Sequence, residues 1–236
     1  AYARKDRRTK DRDPVTLRYV AQLIEAVGTD HVIGLDAHNL AAFECAFRCP
    51  LDHLEAAPLL ADYLAAGPGD ARVCIVSPDI GGAKRAQRVR EILESRTGRE
   101  VGFAIIEKRR SSGVVSGGEE VIGAVAGSRA VIVDDLISAG TTLMRGVKAC
   151  RAAGAAQVDA FATHGVFEPE STQLLGADGP DRLIVTDSIL PTRIGGHGAA
   201  RSPVVLPVSQ LFAEAIRRIC AGGSVVALRE LQPKRR

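Results

Sequence analysis

A chain of 236 residues is long enough for one large domain or two of about 120 residues, and 46% hydrophobic with 25% charged residues excludes a disordered or fibrous chain. A net charge of +3 does not call for a nucleic-acid partner, and no run approaches the roughly 18 apolar residues of a membrane span. Five cysteines, an odd count with no C-x-x-C pair, argue against a zinc site and a disulfide framework, and the charged start has no secretory signal, so reduced thiols and a cytoplasmic location are expected.

In chain order, Asp13 and Pro14 offer an N-cap and a first helical position, and Leu17, Val20, Ala21, Ile24 and Val27 recur at helical spacing before Gly28. "HVIGLDAH" (31–38) reads as a buried strand ending in Asp36 and His38. Residues 39–71 are harder to read; "PLLADYLAAG" predicts a helix closed by Gly67, Pro68 and Gly69. "RVCIVSPD" (72–79) is the next strand, followed by Gly81, Gly82 and a polar helix to about Ser95. "EVGFAIIEK" (100–108) is a third strand, running into "RRSSGVVSGGEE", which is rich enough in Gly and Ser to be expected as an irregular, mobile loop. "RAVIVDD" is a fourth strand, "TTLMRGVKACRAAG" a helix ended by Gly154, and "QVDAFATHGVF" a fifth strand. A short helix near 169–175, the strands "DRLIVTDS" and "PVVLPV", and an amphipathic helix from Ser209 to about Cys220 complete the pattern before a basic tail, "PKRR". "GGAKRA" (81–86) lacks the spacing of a Walker A loop and "GGHG" (195–198) that of a dinucleotide fingerprint, so both read as turns.

Apolar strands alternating with helices predict an α/β fold around a parallel sheet buried on both faces. Ligands of such sheets bind outside the carboxyl ends of the strands. There the sequence places Asp36 and His38, Asp79, Lys108 with Arg109 and Arg110, and Asp134 with Asp135, which are expected to converge on one crevice.

The most informative stretch is "VIVDDLISAGTT" (131–142). Ser138, Ala139, Gly140, Thr141 and Thr142 lie between a strand and a helix N-terminus, where unpaired amides and the positive end of the helix dipole attract a phosphate. Small side chains admit the anion to the backbone, and the hydroxyls of Ser138, Thr141 and Thr142 can donate further bonds. Asp134 and Asp135 stand just outside that cradle, where two carboxylates suit a vicinal diol and repel a second phosphate. The combination points to a sugar phosphate; a pair of acids that merely caps a helix is the simpler alternative.

That string resembles the signature of the phosphoribosyltransferase superfamily. "YARKDRRTKDRDPVT", "LDAHN", "VSPDIGGAKRA", "IIEKRRSSG", "ATHGVF", "IVTDSILP" and "LFAEAIRRI" resemble, in order and spacing, segments of the ribose-phosphate pyrophosphokinase family, the phosphoribosyl pyrophosphate synthetases. The resemblance implies a parallel-sheet phosphoribosyltransferase-like fold with one complete domain, 57–207, and part of a second, 1–56, on which helix 209–222 packs back. It implies transfer of the pyrophosphoryl group of ATP to the 1-hydroxyl of ribose 5-phosphate, with Mg²⁺ as cofactor and a homo-oligomer, dimer or hexamer, as the assembly. Lys108 and Arg110 match catalytic residues of a flexible loop, Arg4, Lys5 and His38 match ATP-binding positions, and His38, Asp79, Asp36 and Asp52 match metal-associated ones. Asp134, Asp135 and Ser138 to Thr142 match the ribose 5-phosphate site.

Several positions depart from the family pattern. Lys5 stands where a Gln is usual, "DAHN" replaces "DLHA" at 36–39, Arg48 replaces an acid near Pro50, and Ser138 stands where most of these synthetases have Asp. The resemblance begins after the family's opening segment, which contributes to the adenine pocket, and Ala1 stands in place of Met, so either a natural lack or a trimmed chain is expected. A catalytically weak regulatory homologue that assembles with an active synthetase, and a phosphoribosyltransferase, remain as alternatives.

Overall fold

In the computed structural model the described residues are 4–67, 72–111, 114–191, 194 and 202–230, with backbone alone at 108–111, 114–118, 229 and 230. The chain forms two units, Ala1–Ala56 with Ala213–Arg229 and Ala57–Phe212 with Glu230–Arg236, taking in each the described residues. The predicted GGHG turn and basic tail lie outside those residues.

The first unit begins with helix α1 (Thr16–Ala26), strand β1 (Val32–Leu35), helix α2 (Leu40–Ala46) and strand β2 (Leu51–Leu54). β1 and β2 pair in parallel as a two-stranded sheet, Val32 opposite Leu51 and Leu35 opposite Leu54. So small a sheet covers little. Of the apolar positions at helical spacing, Leu17 and Ala21 in α1 are buried, whereas Ile24 is exposed and Val27, just past its end, is 83% exposed. The expected cap is also displaced: α1 starts at Thr16 without a side-chain cap, and the Asp13 carboxylate instead accepts from Thr9 Oγ1 and the Lys10 amide, closing the turn ahead of Pro14. The poorly legible stretch after His38 holds α2, whose N-cap Asn39 accepts from the Ala42 amide at 3.2 Å, and the short strand β2.

The second unit runs through α3 (Ala57–Ala65), β3 (Val73–Ser77), α4 (Ala83–Thr97), β4 (Gly102–Ser111), β5 (Val114–Ile122), β6 (Arg129–Ile137), α5 (Thr141–Ala152), β7 (Gln157–Gly165), a 3₁₀ helix (Pro169–Leu175), β8 (Arg182–Thr186) and β9 (Val204–Leu206). The following helix, α6 (Ser209–Cys220), carries the chain back into the first unit. Seven strands form one sheet in the order β5-β4-β3-β6-β7-β8-β9, with every neighbouring pair parallel except β4 with β5. A continuous apolar run is what a strand covered on both faces requires, and residues 129–133 of β6 are all buried at the centre of the sheet. Ile106, Ile132, Leu143, Val147, Cys150, Leu174 and Val185 belong to one buried cluster around it, each such Leu or Ile contributing about 1.5–3 kcal/mol of burial free energy.

Two expectations are corrected by this sheet. The Gly- and Ser-rich stretch after Lys108 is not an irregular loop: β4 and β5 form an antiparallel hairpin, Ile106 opposite Val121 and Arg110 opposite Val115, with a bulge between Lys108 and Arg110. β5 is an edge strand, paired on one side alone, so residues that fit poorly in a central strand are tolerated there. The fourth strand does not stop at the paired acids either. β6 continues through Asp134, opposite Ala162, to Ile137, opposite Gly165, and its burial starts to alternate at Asp134 as it runs on beyond Val133.

Candidate functional site

The sheet order changes direction between β3 and β6: the chain leaves β3 toward β4 on one side and leaves β6 toward β7 on the other. Such a switch point opens a crevice at the carboxyl ends of the two central strands. Asp79 follows β3 there, and the run from Asp134 to Thr142 follows β6.

Gly140 caps α5 with φ +81, and a Cβ at that position would lie 2.8 Å from Leu174 Cδ1, so both its conformation and its close packing demand glycine. The carbonyls of the turn are taken up by neighbouring donors. Ile137 O accepts from the amides of Val166 and Phe167, and Ser138 O accepts from the Glu168 amide at 3.1 Å. Gln173 Nε2 donates to Ala139 O at 3.3 Å, and Gly140 O receives the Met144 amide at 3.0 Å. Among the described residues, the amides of Ser138, Ala139, Gly140, Thr141 and Thr142 donate to no protein acceptor. Five small residues with open amides, the carbonyls of the first three engaged, stand at the positive end of a helix of 12 residues, an arrangement suited to an anion. One hydroxyl expected to serve it is diverted: Ser138 Oγ donates to Glu168 Oε1 at 2.5 Å.

The acid pair lies directly before this turn. Asp135 is buried and Asp134 half-buried, and Asp134 Oδ1 accepts the Asp135 amide at 2.8 Å. Burial, followed by the hydrogen bond and charge of Asp135, pushes the Asp134 carboxyl up to about 7, against the opposing pull of the Asp135 amide and Arg85. Arg85 Nη1, on the first turn of α4, stands 3.8 Å from Asp134 Oδ1 and 3.7 Å from Asp135 Oδ1. Arg85 is a site residue absent from the sequence expectations, although the sequence carries a signal for it. Lys84 and Arg85 occupy a first helical turn, where the helix dipole disfavours cations, so their presence calls for a local partner. Asp79 closes its own turn, with Oδ1 accepting the Gly82 amide at 2.9 Å and its carbonyl receiving Ser77 Oγ at 2.6 Å. Lys108 and Arg110 lie on β4 at the bulge, and their side chains fall outside the described residues.

In the first unit, Asn39 Nδ2 donates to Asp6 at 2.9 Å, which ties the segment carrying Arg4 and Lys5 to the turn carrying His38. The tie is Asn39, one of the positions that depart from the resembled pattern. The metal-associated acids of this unit have local partners. Asp36, with φ +40, is buried and accepts the Ala56 amide at 3.1 Å, while Asp52 Oδ2 pairs with His31 Nε2 at 2.8 Å. His38 belongs to the first unit and Asp79 to the second, and among the described residues no three His, Cys, Asp or Glu side chains form a set able to hold a metal ion. Asp36 and Asp52 thus each have a local partner, the Ala56 amide and His31.

Residues 115–229 match the family model of the phosphoribosyl synthetase-associated domain. The chain is 35% identical over 228 residues to a ribose-phosphate pyrophosphokinase of Hyphomonas neptunium, covering 96% of this chain and 70% of that protein. It is 37% identical over 228 residues to a ribose-phosphate pyrophosphokinase of Prochlorococcus marinus, covering 96% of this chain and 66% of that protein. The crystal structure of phosphoribosylpyrophosphate synthetase from Mycobacterium smegmatis superposes with a TM-score of 0.76 at 31% identity, over 94% of this chain and 69% of that one. The chain thus spans about two thirds of the length of such relatives. Identity at this level along nearly all of its residues, on a shared fold, makes the chain a member of the ribose-phosphate pyrophosphokinase family.

Proposed function

We propose that the protein transfers the pyrophosphoryl group of ATP to the 1-hydroxyl of ribose 5-phosphate, giving phosphoribosyl pyrophosphate and AMP. The observation that carries this reading is the family relationship over 96% of the chain, joined to a turn whose amides are open beside a largely buried acid pair. In it the amides of Ser138 to Thr142, with the hydroxyls of Thr141 and Thr142, hold the 5-phosphate. Asp134 and Asp135 accept hydrogen bonds from the ribose hydroxyls and fix the ring, so that the 1-hydroxyl faces the β-phosphorus of ATP. The new bond joins that oxygen to the β-phosphorus as the bond to the bridging α–β oxygen breaks, and AMP departs with the bridging oxygen.

No covalent enzyme intermediate is needed, because positioning and electrostatics carry such transfers. Arg4, Lys5 and His38 contact the nucleotide, and Lys108 and Arg110 offset negative charge on the group in transit. Mg²⁺ is the cofactor of this reading, with His38, Asp79, Asp36 and Asp52 as the residues that would contact it, where it would offset phosphate charge. A cytoplasmic homo-oligomer belongs to the same reading, with sedimentation velocity as the check on assembly. Among the described residues no helix is long and apolar enough to cross a membrane.

The deciding assay follows AMP release from ATP, Mg²⁺ and ribose 5-phosphate. Release that depends on the sugar phosphate is expected, and a protein that binds both substrates without turnover defeats the proposal. That second outcome is the one expected of a regulatory homologue, a reading favoured by the engagement of Asp36 and Asp52 in local contacts. Such a homologue would co-purify with an active synthetase.

A further inference from the structure

We propose that Glu168 is a positioning residue for the anion cradle, acting through Ser138 as a clasp that keeps the amides of the turn open. The inference rests on the reading of that turn as the phosphate site. It starts from the chain just after β7. Phe167 takes φ +50, a conformation rare for a residue with a side chain, and its ring is buried against Gly165, where an added Cβ would collide with it. A buried aromatic thus holds a backbone kink, and the kink delivers Glu168 to Ser138.

Glu168 grips Ser138 twice: its amide donates to Ser138 O at 3.1 Å, and its carboxylate accepts Ser138 Oγ at 2.5 Å. It is anchored from the other side, since Glu168 O accepts the Ser171 amide at 2.9 Å and Ser171 Oγ at 2.6 Å, and Ser171 is buried. The same 3₁₀ helix supplies Gln173 to Ala139 O and packs Leu174 under Gly140. Three successive residues of the cradle are therefore set by one neighbouring segment. With its proton given to Glu168, the Ser138 hydroxyl is not the anion's donor, which leaves binding to the backbone and the two threonines. A carboxylate so close to an anion site is electrostatically unfavourable in itself, and the clasp gives it a reason to be there.

The two roles can be separated by direct titration calorimetry with ribose 5-phosphate and, separately, with inorganic phosphate on the whole chain, comparing wild type, S138A, E168A, the double variant and E168Q. Both side chains are solvent-accessible, and unchanged melting temperatures would establish that each variant is folded. A clasp predicts that S138A and E168A each weaken both ligands about tenfold, that the double variant is no weaker than either, and that E168Q, which keeps the acceptor without the charge, restores wild-type affinity or exceeds it. In turnover assays the loss should fall on KM for the sugar phosphate, with KM for ATP unchanged. Losses that multiply in the double variant, an unaltered affinity in E168A, or an E168Q as weak as E168A would each overturn the proposal. Wild type that binds phosphate but not ribose 5-phosphate would defeat the proposed function while leaving the clasp to be judged on phosphate; wild type that binds neither would defeat both.

Discussion

The two units of this chain use their acids for different ends. In the second, Asp134 and Asp135 follow the buried run of a seven-stranded sheet, with Arg85 3.8 and 3.7 Å from their carboxylates. In the first, a two-stranded sheet leaves Leu23 and Val27 exposed, and its acids are spent on holding backbone: Asp36 on Ala56, and Glu25 on the amides of Arg48 and Cys49 at 2.5 and 2.9 Å. An acid used as a backbone acceptor is stabilising where it stands, whereas a pair of acids crowded together is a cost kept for a ligand. The second kind of pair is the better mark of a site.

The contrast is broken most forcefully at the base of the large sheet. Arg129 and Asp159, both buried, form an ion pair through Nε and Nη2 to Oδ2 at 2.7 and 2.5 Å, and Gln157 Nε2 holds the other oxygen at 2.8 Å. D159A would strand a buried guanidinium, costing about 3–5 kcal/mol and lowering the melting temperature by on the order of 10 °C. The calorimetric transition of the second unit should move, and if it does not, that pair is not part of its stability.

A narrower break is G140V, which cannot keep both φ +81 and the packing of Leu174, and should weaken ribose 5-phosphate about tenfold or more. Binding measured by calorimetry is the check, with melting temperature recorded alongside.

D134N sharpens the comparison through pH. Because the folded Asp134 carboxyl titrates near 7 instead of its ordinary value of 3.8, the folded protein keeps a proton that the unfolded chain has lost. Its contribution to stability is present at acid pH and is lost as pH rises from about 4 through about 7. D134N should flatten that decline in melting temperature while weakening the sugar phosphate. Glu25 has the opposite sign: backbone hydrogen bonds from Cys49 and then Arg48 hold its pKa below 4.5, so its contribution is present above that value and fades as pH falls through the lowered one. E25Q should therefore cause the smallest change of the four, a slightly lower melting temperature at neutral pH that converges with wild type in acid.

How much of this was legible in the sequence follows the same division. β6, α5 and the cradle between them could be read because a strand buried on both faces writes an unbroken apolar run, and a phosphate turn writes small residues with a glycine. The hairpin β4–β5 could not, since an edge strand needs ladder bonds on one side only and its Gly and Ser hide the pattern. Contacts across 30 residues, such as Ser138 to Glu168, leave no local trace, and neither does the use of Asn39 as both the cap of α2 and the tie to Asp6. The partners of Asp36 and Asp52, the Ala56 amide and His31, are equally unannounced by the sequence.

The central claim is that open amides at the start of α5 grip a monophosphate while the neighbouring acids hold its sugar. Amide-resolved NMR titration with ribose 5-phosphate, set beside the same titration with inorganic phosphate, tests it most directly. Downfield shifts at Gly140, Thr141 and Thr142 with both ligands, joined by Asp134 and Asp135 with the sugar phosphate alone, are the predicted result. Shifts that leave residues 138–142 untouched while the ligand saturates elsewhere would contradict it.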